Sequence, residues 1–227
     1  DELNDKISQS LNKRFYQSEF MCLESYPGQI WIPDNTVALV SLKLHSQNTG
    51  KKYSIFKDWV TYAKKHFLDK ETGLLCSTID PKTGQQTEEP RGAMLGWSIF
   101  FMYRFDKEFA NEQYQEYKEK FSDNIFVFRL FRERYQDRKT DMYGDIDSGP
   151  IIWGYSIPAN TFAFADAVTM DDLYTAKRLH RLIKFGSQEL EQNNEITYKT
   201  RFVEVKTKPL AEALLLYFET ITSWEGY

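Results

Sequence analysis

Three aspartates in this sequence could divide proton chemistry between them: Asp34, Asp145 and Asp147. Asp34 lies in Ile30-Trp31-Ile32-Pro33-Asp34-Asn35, and the other two lie in Asp145-Ile146-Asp147-Ser148-Gly149-Pro150. Paired carboxylates act as acid and base when their surroundings push their pKa values apart. Their separation then decides between retaining and inverting hydrolysis of a glycosidic bond. Beside them stand residues suited to a hydroxyl-rich ligand: Trp31, Asn35, Arg91, Trp97, Tyr143 and Trp153. The tryptophans offer flat faces for sugar stacking. Plainer roles are open to each. Asp34 and Asp147 can cap helices, Arg91 can pair with a neighbouring acid, and a tryptophan on an inner helix can simply be core. Asp145 is the least easily explained, because Ser148 already supplies a cap.

Metal and cofactor chemistry find little support. A calcium loop opening at Asp141 or Asp145 would need Glu at its twelfth position, where Ile152 and Ser156 stand. No Cys/His spacing suits zinc, and His45, His66 and His180 fall on helices away from the aspartates. Neither a Gly-rich phosphate loop nor a nucleophile elbow occurs. No metal and no cofactor are therefore expected. Cys22 and Cys76 read as buried thiols rather than a disulfide.

Two kinds of helix must position these residues. Residues 3–20, 53–68, 108–121 and 172–183 show apolar side chains on one face and charges on the other, the pattern of surface helices. Residues 33–44, 93–103, 150–170 and 210–221 are apolar nearly all round, which a helix shows only when others surround it. Each apolar stretch follows a proline: Pro33, Pro90, Pro150 and Pro209, spaced by 57, 60 and 59 residues (90 − 33, 150 − 90, 209 − 150). In the third, Ser148 is expected to cap the helix, with Pro150 in its first turn. Hairpins are expected over 74–89 and 195–205, and a helical or extended connection over 126–134. A repeat near this length fits a helical hairpin with loops. Alternating buried and amphipathic helices build a ring of inner helices wrapped by outer ones, an αα toroid. Since an outer helix precedes each inner one, the inner helices run parallel, and their N-terminal ends share one face. The acids and aromatics gather there, where helix dipoles favour carboxylates and anionic or hydroxyl-rich ligands.

The 227 residues make one domain, with 41% hydrophobic and 16% aromatic residues to fill a core. A net charge of −4 with both signs mixed argues against general nucleic-acid affinity. No apolar run reaches the ~20 residues of a membrane span. The chain begins at Asp1 rather than Met and carries no targeting segment, so removal of a leader or an N-terminal piece is expected. Leader removal would put the protein outside the cytoplasm, but the compartment and the oligomeric state stay open.

The three helix starts Gln29–Asn35, Pro90-Arg91-Gly92 and Asp145–Pro150, with the alternation of helices, resemble the six-hairpin toroid superfamily. The resemblance spans roughly residues 24 to 221. It is nearest to proteins similar to linalool dehydratase/isomerase and more distant to six-hairpin glycosidases. It implies an all-α toroid with short β-hairpins in its loops. Six hairpins are implied against four inner helices, so a shortened or incomplete barrel is expected. The linalool type implies cysteine and histidine in the site, and Cys22 and Cys76 do not lie at inner-helix starts. Three functions follow as expectations. The first is a glycosidase-like enzyme using Asp34, Asp145 and Asp147. The others are a hydro-lyase or isomerase acting on an apolar alcohol and a non-catalytic glycan-binding module.

Overall fold

The structure is a computed structural model describing residues 2–135, 144–145, 148–192, 195–201 and 209–221. Its helices are α1 (Glu2–Gln17), α2 (Ile32–Thr49), α3 (Ile55–His66), α4 (Gly92–Met102), α5 (Lys107–Phe121), α6 (Ile157–Thr169), α7 (Leu173–Gly186) and α8 (Pro209–Glu219). Short strands fill the connections: β1 (Ile30–Trp31), β2 (Thr78–Ile79), β3 (Gln86–Glu88), β4 (Ser122–Ile125), β5 (Phe128–Phe131), β6 (Ile151–Ile152), β7 (Tyr155–Ser156), β8 (Ser187–Gln192) and β9 (Glu195–Thr200).

Even-numbered helices form the inner layer and odd-numbered ones the outer. α4 packs between α2 and α6, and α6 also meets α8, while α1, α5 and α7 lie against α2, α4 and α6. The fold is an all-α, αα-hairpin toroid. Close approach of α4 to α6 and to the segment after β5 requires glycine. A Cβ on Gly96 would sit 2.6 Å from that of Phe162, and one on Gly92 would sit 2.0 Å from the Arg132 carbonyl oxygen. Aromatic side chains fill the space between layers, among them Trp59, Phe67, Phe100, Tyr114, Tyr117 and Phe121, all fully buried.

Backbone bonds tie the N-terminal ends of α2, α4 and α6 to one face. β1, β2 and β3 form one antiparallel sheet, pairing Trp31 with Thr78 and Thr78 with Glu88. This sheet carries the starts of α2 and α4. Gly92 N–H then donates to Glu133 O at 2.8 Å, and Glu133 N–H donates to Gly154 O at 2.9 Å, in the β6–β7 turn before α6. The common mouth expected from parallel inner helices is therefore present for these three.

The third inner helix starts later than the sequence suggested. Ser156, not Ser148, is its N-cap, accepting from Ala159 N–H at 3.1 Å, and Pro158 rather than Pro150 stands in its first turn. The β6–β7 hairpin occupies the residues between. Substituting Pro158 makes the proline intervals 57, 68 and 51 (90 − 33, 158 − 90, 209 − 158), so the even spacing was partly coincidental. Ser-x-Pro occurs at both places, and only the hairpin turn between them separates the readings. The connection over 126–134 is extended, built around β5, and the second hairpin lies over 187–200 rather than 195–205.

Candidate active site

At the mouth, Arg91 is the central group. It is the N-cap residue of α4, and only 1% of its side chain is exposed. A buried guanidinium must be paired, because its desolvation is otherwise too costly. Its Nε donates to Glu133 Oε1 at 3.0 Å, its Nη2 donates to Asp145 Oδ1 at 2.9 Å, and Nη1 lies 2.8 Å from Asp145 Oδ2. Glu88 of β3 approaches Nη1 at 3.7 Å. Burial works against the Arg91 charge, but Asp145, Glu133 and Glu88 outweigh it and raise its pKa further.

Glu133 is the residue that sequence reading missed. It is fully buried, and its Oε2 accepts from Ser156 Oγ at 2.6 Å and from Ala93 N–H at 3.3 Å. One carboxylate thus joins Arg91, the first turn of α4 and the cap of α6. Burial pushes its pKa up, opposed by Ser156, Arg91 and Ala93. The signal available was a lone acid in a basic run, Phe131-Arg132-Glu133-Arg134, which pattern alone reads as surface.

Asp145 differs from Glu133 in exposure. Its side chain is 46% exposed, so it presents a carboxylate to the mouth while Arg91 grips it from beneath. The loop around it is tied down. Ser148 N–H donates to Asp145 Oδ1 at 2.8 Å, Asp145 N–H donates to Ser148 Oγ at 3.0 Å, and Gly149 N–H donates to Asp145 O at 2.9 Å. Ser148 therefore braces Asp145 instead of capping a helix. Asp147 and Tyr143 lie outside the described residues.

Asp34 stands in the first turn of α2, exposed, with no side-chain capping bond at that helix start. Trp31, the N-cap residue, is half-buried and donates its indole N–H to Gln29 Oε1 at 3.1 Å. Asn35 is turned inward. Its Oδ1 accepts from Leu23 N–H at 2.8 Å, and its Nδ2 donates to Leu23 O at 3.0 Å and Trp31 O at 2.8 Å. That amide is consumed by backbone, and it fixes the helix start rather than reaching a ligand. Trp97 packs in the inner layer of α4, with ring centroids 5.7 Å from Phe101 and 5.1 Å from Phe162.

Trp153 is the opposite case. It is 88% exposed at the tip of the β6–β7 hairpin, with φ 51°, and its neighbour Gly154 accepts from Glu133 N–H. Left-handed backbone at such a tip favours Asn, Asp or Gly, so a tryptophan there is strained and held outward on the rim. Among the described residues no group of three or more His, Cys, Asp or Glu could hold a metal ion.

With Asp145 and Trp153 both placed on the toroid's mouth, comparisons with known proteins bear on the fold. No protein-family profile matches the sequence, and no curated protein does. The likeness is structural. A glycoside hydrolase from family 105 of C. acetobutylicum ATCC 824 matches with TM-score 0.53 at 16% identity, over 86% of this chain and 60% of that one. The GH76 alpha-mannanase of Bacteroides thetaiotaomicron matches with TM-score 0.47 at 14% identity, over 87% of this chain and 54% of that one. The chain thus spans less than two thirds of either neighbour. At these identities the former shows a shared toroid fold, and function has to be argued from the site.

Proposed function

We propose that this mouth is a glycosidase-like active site acting on a glycan or another hydroxylated small molecule. The observation that carries the reading is the pairing of a buried Arg91 with a half-exposed Asp145. A cation buried only for structure would be satisfied by Glu133 and backbone carbonyls. Here its outer edge is spent on fixing a carboxylate that faces solvent. Such a carboxylate, held in place by the guanidinium, is suited to act as base, or to stabilise positive charge on a sugar ring. Asp34, exposed on the neighbouring helix start, and Asp147 are the partners proposed for proton transfer. Trp153 and Trp31 are proposed to stack the sugar, with Tyr143 beside them. The fold shared with a glycoside hydrolase adds to this reading at the level of scaffold only.

The test is turnover on a panel of glycans with product detection. Asp145→Asn keeps the side chain's shape and its bond to Ser148, and it is expected to lower turnover at least about a hundredfold. Unchanged turnover in that variant would remove the proposal. Retention of a sugar that is never cleaved by wild type would point to a binding module instead.

One observation favours a hydro-lyase acting on an apolar alcohol. Met94, Trp97 and Phe101 on α4 are only half-buried, and the Trp97 indole N–H has no partner among the described residues. Thiol chemistry does not fit that reading. Cys22 and Cys76 are buried, and burial raises both thiols, Cys76 to about 12, leaving them inert at neutral pH.

A further inference from the structure

Away from the mouth, the β4–β5 hairpin and α7 build a second surface that the glycan reading leaves unused. The hairpin pairs Ile125 with Phe128, so Phe126 and Val127 make a two-residue tip. Phe126 takes φ 51° there, where Gly, Asn or Asp is usual. It is also 93% exposed, and Ile125 and Val127 are exposed beside it. Core packing does not account for an aromatic side chain held almost wholly in solvent on strained backbone.

The tip is fixed in this pose by α7. Arg178 Nη2 donates to Phe126 O at 2.6 Å and to Phe128 O at 2.8 Å, and the Phe128 ring lies 5.2 Å from that of Phe185. Along the solvent side of the same helix, Leu173 and Tyr174 are exposed, followed by Lys177, Arg181 and Lys184 at helical spacing. α7 carries four lysines and arginines with Arg178 included, besides His180, and no Asp or Glu, in a chain whose net charge is −4. Nearby acids are engaged or lie beyond its ends. Asp172 at the N-cap accepts from Lys118, Tyr114 and Thr175, Asp123 accepts from Arg132 and Tyr155, Glu219 of α8 lies 3.4 Å from His180 Nε2, and Glu191 lies on β8 past the C-terminus.

We infer that this face docks on an anionic lipid bilayer, with the Ile125–Val127 tip entering below the headgroups and the α7 cations resting on phosphates. The chemistry of the tip selects this occupant. Three hydrocarbon side chains offer no hydrogen bond to a polar surface, and they gain from burial in an apolar medium. Flanking cations gain from a negatively charged plane. No described helix is long and apolar enough to cross a membrane.

Sedimentation of the whole chain with phosphatidylcholine vesicles, with and without phosphatidylserine, tests it. Binding is expected only with phosphatidylserine present, falling steeply as salt is added. Joint substitution of Lys177→Glu and Arg181→Glu should weaken it about 30-fold or more. Phe126→Ser should weaken it about tenfold. All three side chains are solvent-facing, so the circular dichroism spectrum should be unchanged. No binding to anionic vesicles at low salt, equal binding to both vesicle types, or binding that both variants leave intact would each overturn the proposal. So would retention by a soluble polyanion without retention by vesicles.

Discussion

Glu133 shows how one residue can set the geometry of a site without touching a ligand. Its two oxygens join Arg91 Nε, Ser156 Oγ and Ala93 N–H, so the cap of α6 and the first turn of α4 share one acceptor. Glu133→Gln keeps the size of the side chain but leaves a buried guanidinium with one charged partner fewer. A cost of about 1–3 kcal/mol is expected, and Glu133→Ala should cost about 3–5 kcal/mol, read from urea midpoints. A role confined to packing would leave Glu133→Gln close to wild type and make only Glu133→Ala costly. Sequence reading singled out Arg91 and Asp145 because they stand at expected helix starts. It passed over Glu133 because nothing local distinguishes a fully buried acid from a solvated one between two arginines. The same limit applies to Asn35, whose position was legible at the mouth but whose side chain points into the Leu23 backbone.

At the scale of elements, the inner helices carry a signature more telling than proline spacing. α2 opens Ile32-Pro33-Asp34-Asn35-Thr36 and α6 opens Ile157-Pro158-Ala159-Asn160-Thr161. In both, the asparagine clamps a neighbouring segment through that segment's backbone N–H and C=O and also reaches the N-cap carbonyl. Asn160 Oδ1 accepts from Phe131 N–H at 2.9 Å, and its Nδ2 donates to Phe131 O at 3.0 Å and Ser156 O at 2.8 Å. Asn35 repeats this on Leu23 and Trp31. The motif marks the true start of α6, and Ser148-Gly149-Pro150 concealed it by offering an equally good cap and proline. It also explains why Asp34 stands out. Its counterpart Ala159 is buried against α4, whereas Asp34 faces solvent. Asn160→Ala leaves the buried Phe131 N–H and C=O without their side-chain partner and should cost about 2–4 kcal/mol. Asn35→Ala should cost a similar amount. Denaturant unfolding of the two variants checks this, and a large inequality would break the equivalence of the two helix starts.

For the molecule as a whole, alternation of buried and amphipathic helices was legible in the sequence because it follows from 3.6-residue periodicity. The polar groups sealed between the layers were not. Asp166 lies near the C-terminal end of α6, fully buried, and neither carboxylate oxygen has a hydrogen-bond partner among the described residues. Burial drives its pKa well above the usual carboxylate range, and the attraction of Arg104 does not offset this. Arg104 is itself partly buried, and it stacks on the Phe100 ring at 4.5 Å. A carboxyl whose pKa is higher folded than unfolded holds its proton more tightly in the folded state. Its contribution to stability is therefore complete below the unfolded value, near 4, and is lost as pH rises through the folded one. Asp166→Asn removes that loss while keeping the side chain's volume. Near pH 4 the two proteins should melt close together, and toward pH 8 the variant should melt about 2–4 °C or more above wild type. Thermal midpoints measured across that range decide it: parallel curves would mean that Asp166 keeps an ionised partner, and that the space between α4, α5 and α6 is less dry than its aromatic lining implies.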